Sequence, residues 1–177
     1  MIQGVSMNQA KGSIVLIGMP GAGKSTLGIV LAKILNKDFI DADLVIQNRC
    51  GRTLQDIIDA EGPEAFIAIE NRILCEIEAA NTIIATGGSA VYSDEAMRHL
   101  SELGPVVYLK ISYESLVNRL CDLDERGVVL RGGVSMSLRD LYDERQPLYE
   151  KYADITVDVN DLSITAAARK VAHAVRG

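Results

Sequence analysis

Eight residues carry the clearest chemical signal in this chain: Gly18-Met19-Pro20-Gly21-Ala22-Gly23-Lys24-Ser25. Glycine, four residues, glycine, lysine and a hydroxyl residue is the spacing of a phosphate-binding loop. The flanks agree. Ser13–Ile17 reads as a buried strand, and Thr26–Leu35 reads as a helix. Glycines let such a loop turn tightly and aim its N–H groups at phosphate oxygens, and the helix start adds a positive dipole end. Gly21, Ala22, Gly23, Lys24, Ser25 and Thr26 are therefore candidates to hold a nucleotide's phosphates. Lys24 would reach the β- and γ-phosphates, and the Ser25 hydroxyl would ligate Mg²⁺.

Other residues could supply a second reactant. Phe39-Ile40-Asp41-Ala42-Asp43 ends a strand with two carboxylates. Two residues apart on an extended strand, Asp41 and Asp43 would point to the same side. One carboxylate could serve a magnesium ion while the other accepts a proton from an attacking hydroxyl. Ile83–Ser89 ends in Gly87-Gly88, which permits close backbone approach to a ligand. In a helix expected over 63–80, Phe66, Ile69, Ile73 and Ile77 form the core stripe, and Ile67 falls off it beside Glu70 and Asn71. Arg145 could bind an anionic group bidentately, and Arg119 and Arg126 could meet nucleotide. The segment Asp122–Arg139 combines glycines and arginines with few core candidates, which suggests a mobile lid over about 122–136.

The elements that position these residues alternate. Strands are expected at Ile14–Ile17, Phe39–Asp41, Thr82–Thr86, Val106–Ile111 and Ile155–Val159. Helices are expected near 25–35, 53–60, 63–80, 93–102, 112–121, 137–150 and 162–175. Continuous apolar strands between helices indicate an α/β fold, a parallel sheet covered on both faces. The 177 residues suit one domain over 13–177, preceded by a disordered tail over 1–12. A net charge of −6 argues against a nucleic-acid partner. No apolar run is long enough to span a membrane, and no signal peptide is evident. Cys50, Cys75 and Cys121 lack metal spacing and suggest buried free thiols in a reduced cytoplasmic protein; a monomer is expected. His99 and His173 are too isolated for a metal cluster.

Together these residues resemble the shikimate kinase family, across essentially the whole chain from Ser13. The matches are Gly18–Thr26, Asp41-Ala42-Asp43, Gly51-Arg52 before a helix, Glu70, Gly87-Gly88, Arg119, Arg126 and Arg145-x-Pro-Leu-Tyr. The resemblance implies a three-layer P-loop NTPase fold of the nucleoside-monophosphate-kinase type. Its sheet has five parallel strands in the order 2-3-1-4-5, helices on both faces, and a closing lid. It implies ATP, Mg²⁺ and phosphoryl transfer to a hydroxyl of a small metabolite, with shikimate the nearest candidate. By matching position, Lys24 and Arg126 would stabilise the transferring group, and Ser25 and Asp41 would serve the metal. Asp43 would hold and deprotonate the hydroxyl, Arg119 would pack on adenine, and Gly87, Gly88, Ser89 and Arg145 would face the acceptor. Two positions depart from the family pattern. Ile67 stands where the family has the arginine that clamps the shikimate carboxylate, and Ser89 replaces a third glycine. A kinase of the same family with a different hydroxy acceptor, or a non-catalytic nucleotide-binding module, remain the alternatives.

Overall fold

The computed structural model describes residues 12–121 and 137–177. The N-terminal tail expected through residue 12, the lid expected over about 122–136 and Arg126 within it lie outside the described residues, Gly12 excepted.

Five strands form one sheet: β1 (Ile14–Ile17), β2 (Asp38–Asp41), β3 (Thr82–Ala85), β4 (Val106–Lys110) and β5 (Ile155–Asp158). Their order is β2-β3-β1-β4-β5, and every pairing is parallel. In the central strand, Val15 pairs with Ile84 on one side and Val106 on the other. All four residues of β1 and of β3 are buried, as expected for parallel strands covered on both faces. The helices are α1 (Lys24–Leu35), α2 (Ala42–Cys50), α3 (Leu54–Glu61), α4 (Pro63–Cys75), α5 (Asp94–Leu103), α6 (Tyr113–Cys121), α7 (Leu138–Tyr152) and α8 (Ile164–Ala174). α1 packs on α8 and on β1, β2 and β3, whereas α5 and α7 pack on β1 and β4. The expected α/β class, strand order and two-sided cover are thus all present.

Three expectations need correction. The strand-to-strand reading omits α2, whose apolar residues are contiguous rather than spaced in a stripe; it buries only Ala42 and Ile46, one turn apart. Asp43 therefore lies in the first turn of a helix and not on a strand beside Asp41. The helix expected over 63–80 stops at Cys75, where the chain tightens through Ile77 N–H to Leu74 O before entering β3. Ile77 is still buried, but through the connecting segment. Cys50 and Cys75 are half-buried rather than fully enclosed.

A second, smaller core lies under α2, α3 and α4. Ile46, Ile57, Phe66 and Ile73 are each 2% exposed or less, and Ile67 and Ile69 pack against them. α3 is anchored by a capping box in which Thr53 and Asp56 satisfy each other's backbone N–H groups. This cluster has few members, so each carries a large share of the packing. Ile57→Ala is expected to cost about 2–5 kcal/mol of unfolding free energy. Denaturant titration checks this, and an unchanged midpoint would contradict it.

Candidate active site

A cavity of about 570 Å³ opens where the chain leaves β1, β2 and β3 at their carboxyl ends. This is where open parallel sheets accept ligands. One wall is the loop between β1 and α1, with Pro20, Gly21, Gly23, Lys24, Ser25 and Thr26 lining the space. Gly21 and Gly23 have φ of 84° and 89°, a backbone region that disfavours side chains. Opposite stand Asp43 at the start of α2 and Thr86–Ser89 after β3. Leu54 and Phe66 give an apolar flank; Arg119, Leu120 and Leu162–Ile164 border the remainder.

Lys24 is buried at 8% exposure and is the first residue of α1, so it is not an exposed loop side chain. Its ammonium donates to the carbonyls of Gly18 at 2.8 Å and Met19 at 3.0 Å. Burial lowers its pKa to about 8, against the pull of nearby Asp43. Asp41 is the N-cap of α2: its Oδ1 accepts from the backbone N–H of Asp43 at 3.0 Å and of Leu44 at 3.4 Å. That bond turns the chain so that Asp43 reaches the cavity. Burial raises the Asp43 pKa, and Lys24 opposes the rise.

Two glycines keep this wall open. A β-carbon on Gly87 would meet Glu70 Oε1 at 2.5 Å and Asp43 Oδ1 at 2.9 Å. One on Gly88 would meet Pro20 Cδ at 2.7 Å and an Arg145 terminal nitrogen at 2.9 Å. Glu70, on α4, is 1% exposed; its Oε2 accepts a 2.6 Å bond from Ser89 Oγ, while Oε1 has no hydrogen-bond partner. Burial pushes its pKa up to about 7. Ser89 thus lines the cavity and also holds Glu70.

Arg145, on α7, is 1% exposed rather than a solvated surface charge. Its Nε donates to Tyr92 Oη at 3.1 Å, and its guanidinium carbon lies 5.1 Å from the Tyr92 ring centre. Tyr149 Oη donates to Gly88 O at 2.7 Å, and its ring stacks on Tyr108 at 5.2 Å. Arg119 bridges two segments, donating to Ala22 O at 3.3 Å and Val159 O at 3.0 Å.

The structure therefore gathers Gly21, Gly23, Lys24, Ser25, Thr26, Asp43, Gly87, Gly88, Ser89, Arg119 and Arg145 around one cavity. Ala22 is buried behind the loop, and Asp41 stands behind Asp43 as its cap. Ile67 is half-buried against the small core and is not among the lining residues; its neighbour Phe66 is. Sequence reasoning missed Tyr92, Tyr149, Leu54 and the Leu162–Ile164 edge. The Arg145-x-Pro-Leu-Tyr run was the one available signal for Tyr149.

The shikimate kinase family model matches residues 20–176. The chain belongs to the shikimate kinase family. A curated shikimate kinase of Francisella tularensis subsp. novicida is 38% identical over 161 residues, covering 90% of this chain and 92% of the relative. The solved shikimate kinase of Acinetobacter baumannii in complex with shikimate superposes with a TM-score of 0.81 at 31% identity, covering 92% of this chain and 91% of that one. A sugar kinase from Janibacter, 17% identical with a TM-score of 0.62, shares the fold alone.

In this family member the buried Glu70 has a measurable signature. As pH rises from about 4.5, the unfolded chain loses this proton first, while the folded chain holds it to about 7. The stability that Glu70 contributes is therefore lost across that window, by on the order of 3 kcal/mol, and does not change further above it. The buried Lys24 titrates higher, near 8, and so contributes a constant amount there. Melting temperatures at pH 5 and pH 7.5 are expected to differ less in Glu70→Gln than in the natural protein. An equal difference in both would remove Glu70 as the source.

Proposed function

We propose that this shikimate kinase family member transfers the γ-phosphoryl group of ATP to a hydroxyl of shikimate. The observation that carries the reading is one cavity lined both by a phosphate loop and by a half-buried carboxylate, Asp43. Gly21, Gly23, Ser25 and Thr26 line the cavity where the phosphates would lie, at the start of α1, and Lys24 is already desolvated there. A buried cation acts more strongly on developing charge than an exposed one. Arg119 borders the same side and would meet the nucleotide base. Arg126 is assigned to the transferring group from its matching position.

The donors fit a magnesium ion. Ser25 lines the cavity and Asp41 ends β2 beside it, and both offer hard oxygens of the kind Mg²⁺ prefers. Among the described residues no cluster of three or more acidic, histidine or cysteine side chains forms a closed cage. When bound, magnesium neutralises phosphate charge.

Asp43 is the proton acceptor. Burial makes its carboxylate a stronger base than a solvated aspartate, and nearby Lys24 limits that rise. Gly87 and Gly88 allow the acceptor ring close to the backbone, Ser89 lines the cavity with Glu70 held behind it, and Arg145 meets the acceptor's carboxylate. Residues 13–177 act as one kinase domain in this reading. A mere nucleotide-binding module has no use for Asp43 in this position. ADP release that depends on added shikimate tests the reading directly. Asp43→Asn is expected to lower kcat by roughly 10²–10⁴-fold with ATP affinity unchanged. A change in KM alone would make Asp43 a binding residue only.

A second reading keeps this chemistry and changes the acceptor, on the observation that Ile67 adds an aliphatic side chain beside Phe66 where the family pattern has an arginine. Loss of one member of a desolvated arginine–carboxylate pair typically costs ~2–5 kcal/mol. Ile67→Arg is therefore expected to raise kcat/KM for shikimate by about tenfold or more. Efficient shikimate turnover by the natural protein, with no gain from the arginine, would leave shikimate as the acceptor and discard the second reading.

A further inference from the structure

Arg145 is almost fully buried, so its charge must be supported by the groups packed around it. That support has a direction. Its Nε donates to Tyr92 Oη at 3.1 Å, and the same hydroxyl donates onward to Glu144 Oε1 at 2.7 Å. Glu144 is on α7, one residue before Arg145, while Tyr92 belongs to the short 3-10 turn Ala90–Tyr92 that follows Gly87-Gly88-Ser89. The hydroxyl is thus oriented: its proton goes to a carboxylate and its lone pair faces the guanidinium. Charge-assisted bonds of this kind are directional and stronger than neutral ones. The Tyr92 ring also lies against the guanidinium, 5.1 Å from its carbon. A terminal nitrogen at the other end of Arg145 sits beside Gly88, within 2.9 Å of where a β-carbon would be.

We propose that Tyr92, backed by Glu144, is a positioning residue that fixes the Nε edge of Arg145 so that its terminal nitrogen meets a carboxylate on the acceptor at Gly88. The inference rests on the proposed acceptor role of Arg145 and goes beyond it, because Tyr92 and Glu144 do not line the cavity themselves. The tether joins α7 to the segment that carries Gly87 and Gly88. It therefore sets the distance between the anion-binding guanidinium and the backbone floor on which the acceptor ring rests. Tyr149 Oη, bonded to Gly88 O at 2.7 Å, ties the same two segments from the other side. The acceptor class that gains from this arrangement bears a carboxylate; a neutral polyol would gain nothing.

Tyr92→Phe keeps the ring and removes the hydroxyl. KM for shikimate, read by ADP release, is expected to rise roughly tenfold, the loss of about one charge-assisted hydrogen bond. Values of kcat and of KM for ATP are expected to stay within about twofold, since neither depends on the Nε edge. The dissociation constant of the shikimate analogue whose carboxylate is reduced to a hydroxymethyl group, read by titration, is expected not to move. Glu144→Gln, on a half-buried side chain, gives the same pattern at roughly threefold and serves if Tyr92→Phe fails to fold. Equal weakening of both ligands, or a loss shared with ATP, would make the tether merely structural and overturn the proposal. Unchanged KM for shikimate in both variants would overturn it as well. No ADP release from the natural protein with shikimate would instead overturn the functional reading itself.

Discussion

Four ionisable side chains stand in or directly behind one cavity, and the site depends on how their charges are balanced. Lys24, Glu70 and Arg145 are 8% exposed or less, and Asp43 faces them from the start of α2. A single charge so enclosed would cost several kcal/mol without a partner. Here two cations and two carboxyl groups are interleaved within electrostatic reach of one another. Lys24 is held to about 8 by burial although Asp43 pulls it upward, and Glu70 is carried to about 7 although Arg145 and Lys24 pull it down. Such a wall is poised to receive anionic phosphate on the Lys24 side and a polar acceptor on the Arg145 side.

The fold supplies the rigidity this arrangement needs. The fully buried strands β1 and β3 place two loop starts side by side at their carboxyl ends. Lys24, Ser25, Asp43 and Gly87–Ser89 then come from the first residues after a strand or the first turn of a helix, while Glu70 and Arg145 reach in from the middle of α4 and α7. Side-chain caps fix those turns: Asp41 aims α2, and the Ser93 hydroxyl starts α5 just after the Tyr92 turn. The small core under α2–α4 sets the remaining wall, because Phe66 belongs both to that core and to the cavity lining. Packing there and acceptor binding are consequently coupled.

The two departures from the family pattern make physical sense together. Ile67 packs against the small apolar core three residues before Glu70, and Ser89 supplies a hydroxyl to one of the Glu70 oxygens. The other oxygen stays unsatisfied above Gly87, which is consistent with a carboxyl group that holds its proton to near-neutral pH.

Much of this was legible in the chain itself. Gly18–Ser25 between an apolar run and a helix pattern determines a phosphate loop, because spacing and backbone freedom are local properties. The alternation of apolar runs with helical stretches determines a parallel sheet covered on both faces for the same reason. The order and pairing of its strands came from family resemblance and were then observed. What the tertiary structure decided is how charge and orientation are shared among residues far apart in sequence. Lys24 and Arg145 read equally well as exposed side chains until the sheet and α7 enclose them. Asp43 leaves the strand for a helix only because Asp41 caps it, and α2 carries too short an apolar stripe to announce itself. Tyr92 and Arg145 are 53 residues apart, and no periodicity links them. Burial and long-range hydrogen bonds are properties of the packed chain, and a local pattern cannot contain them.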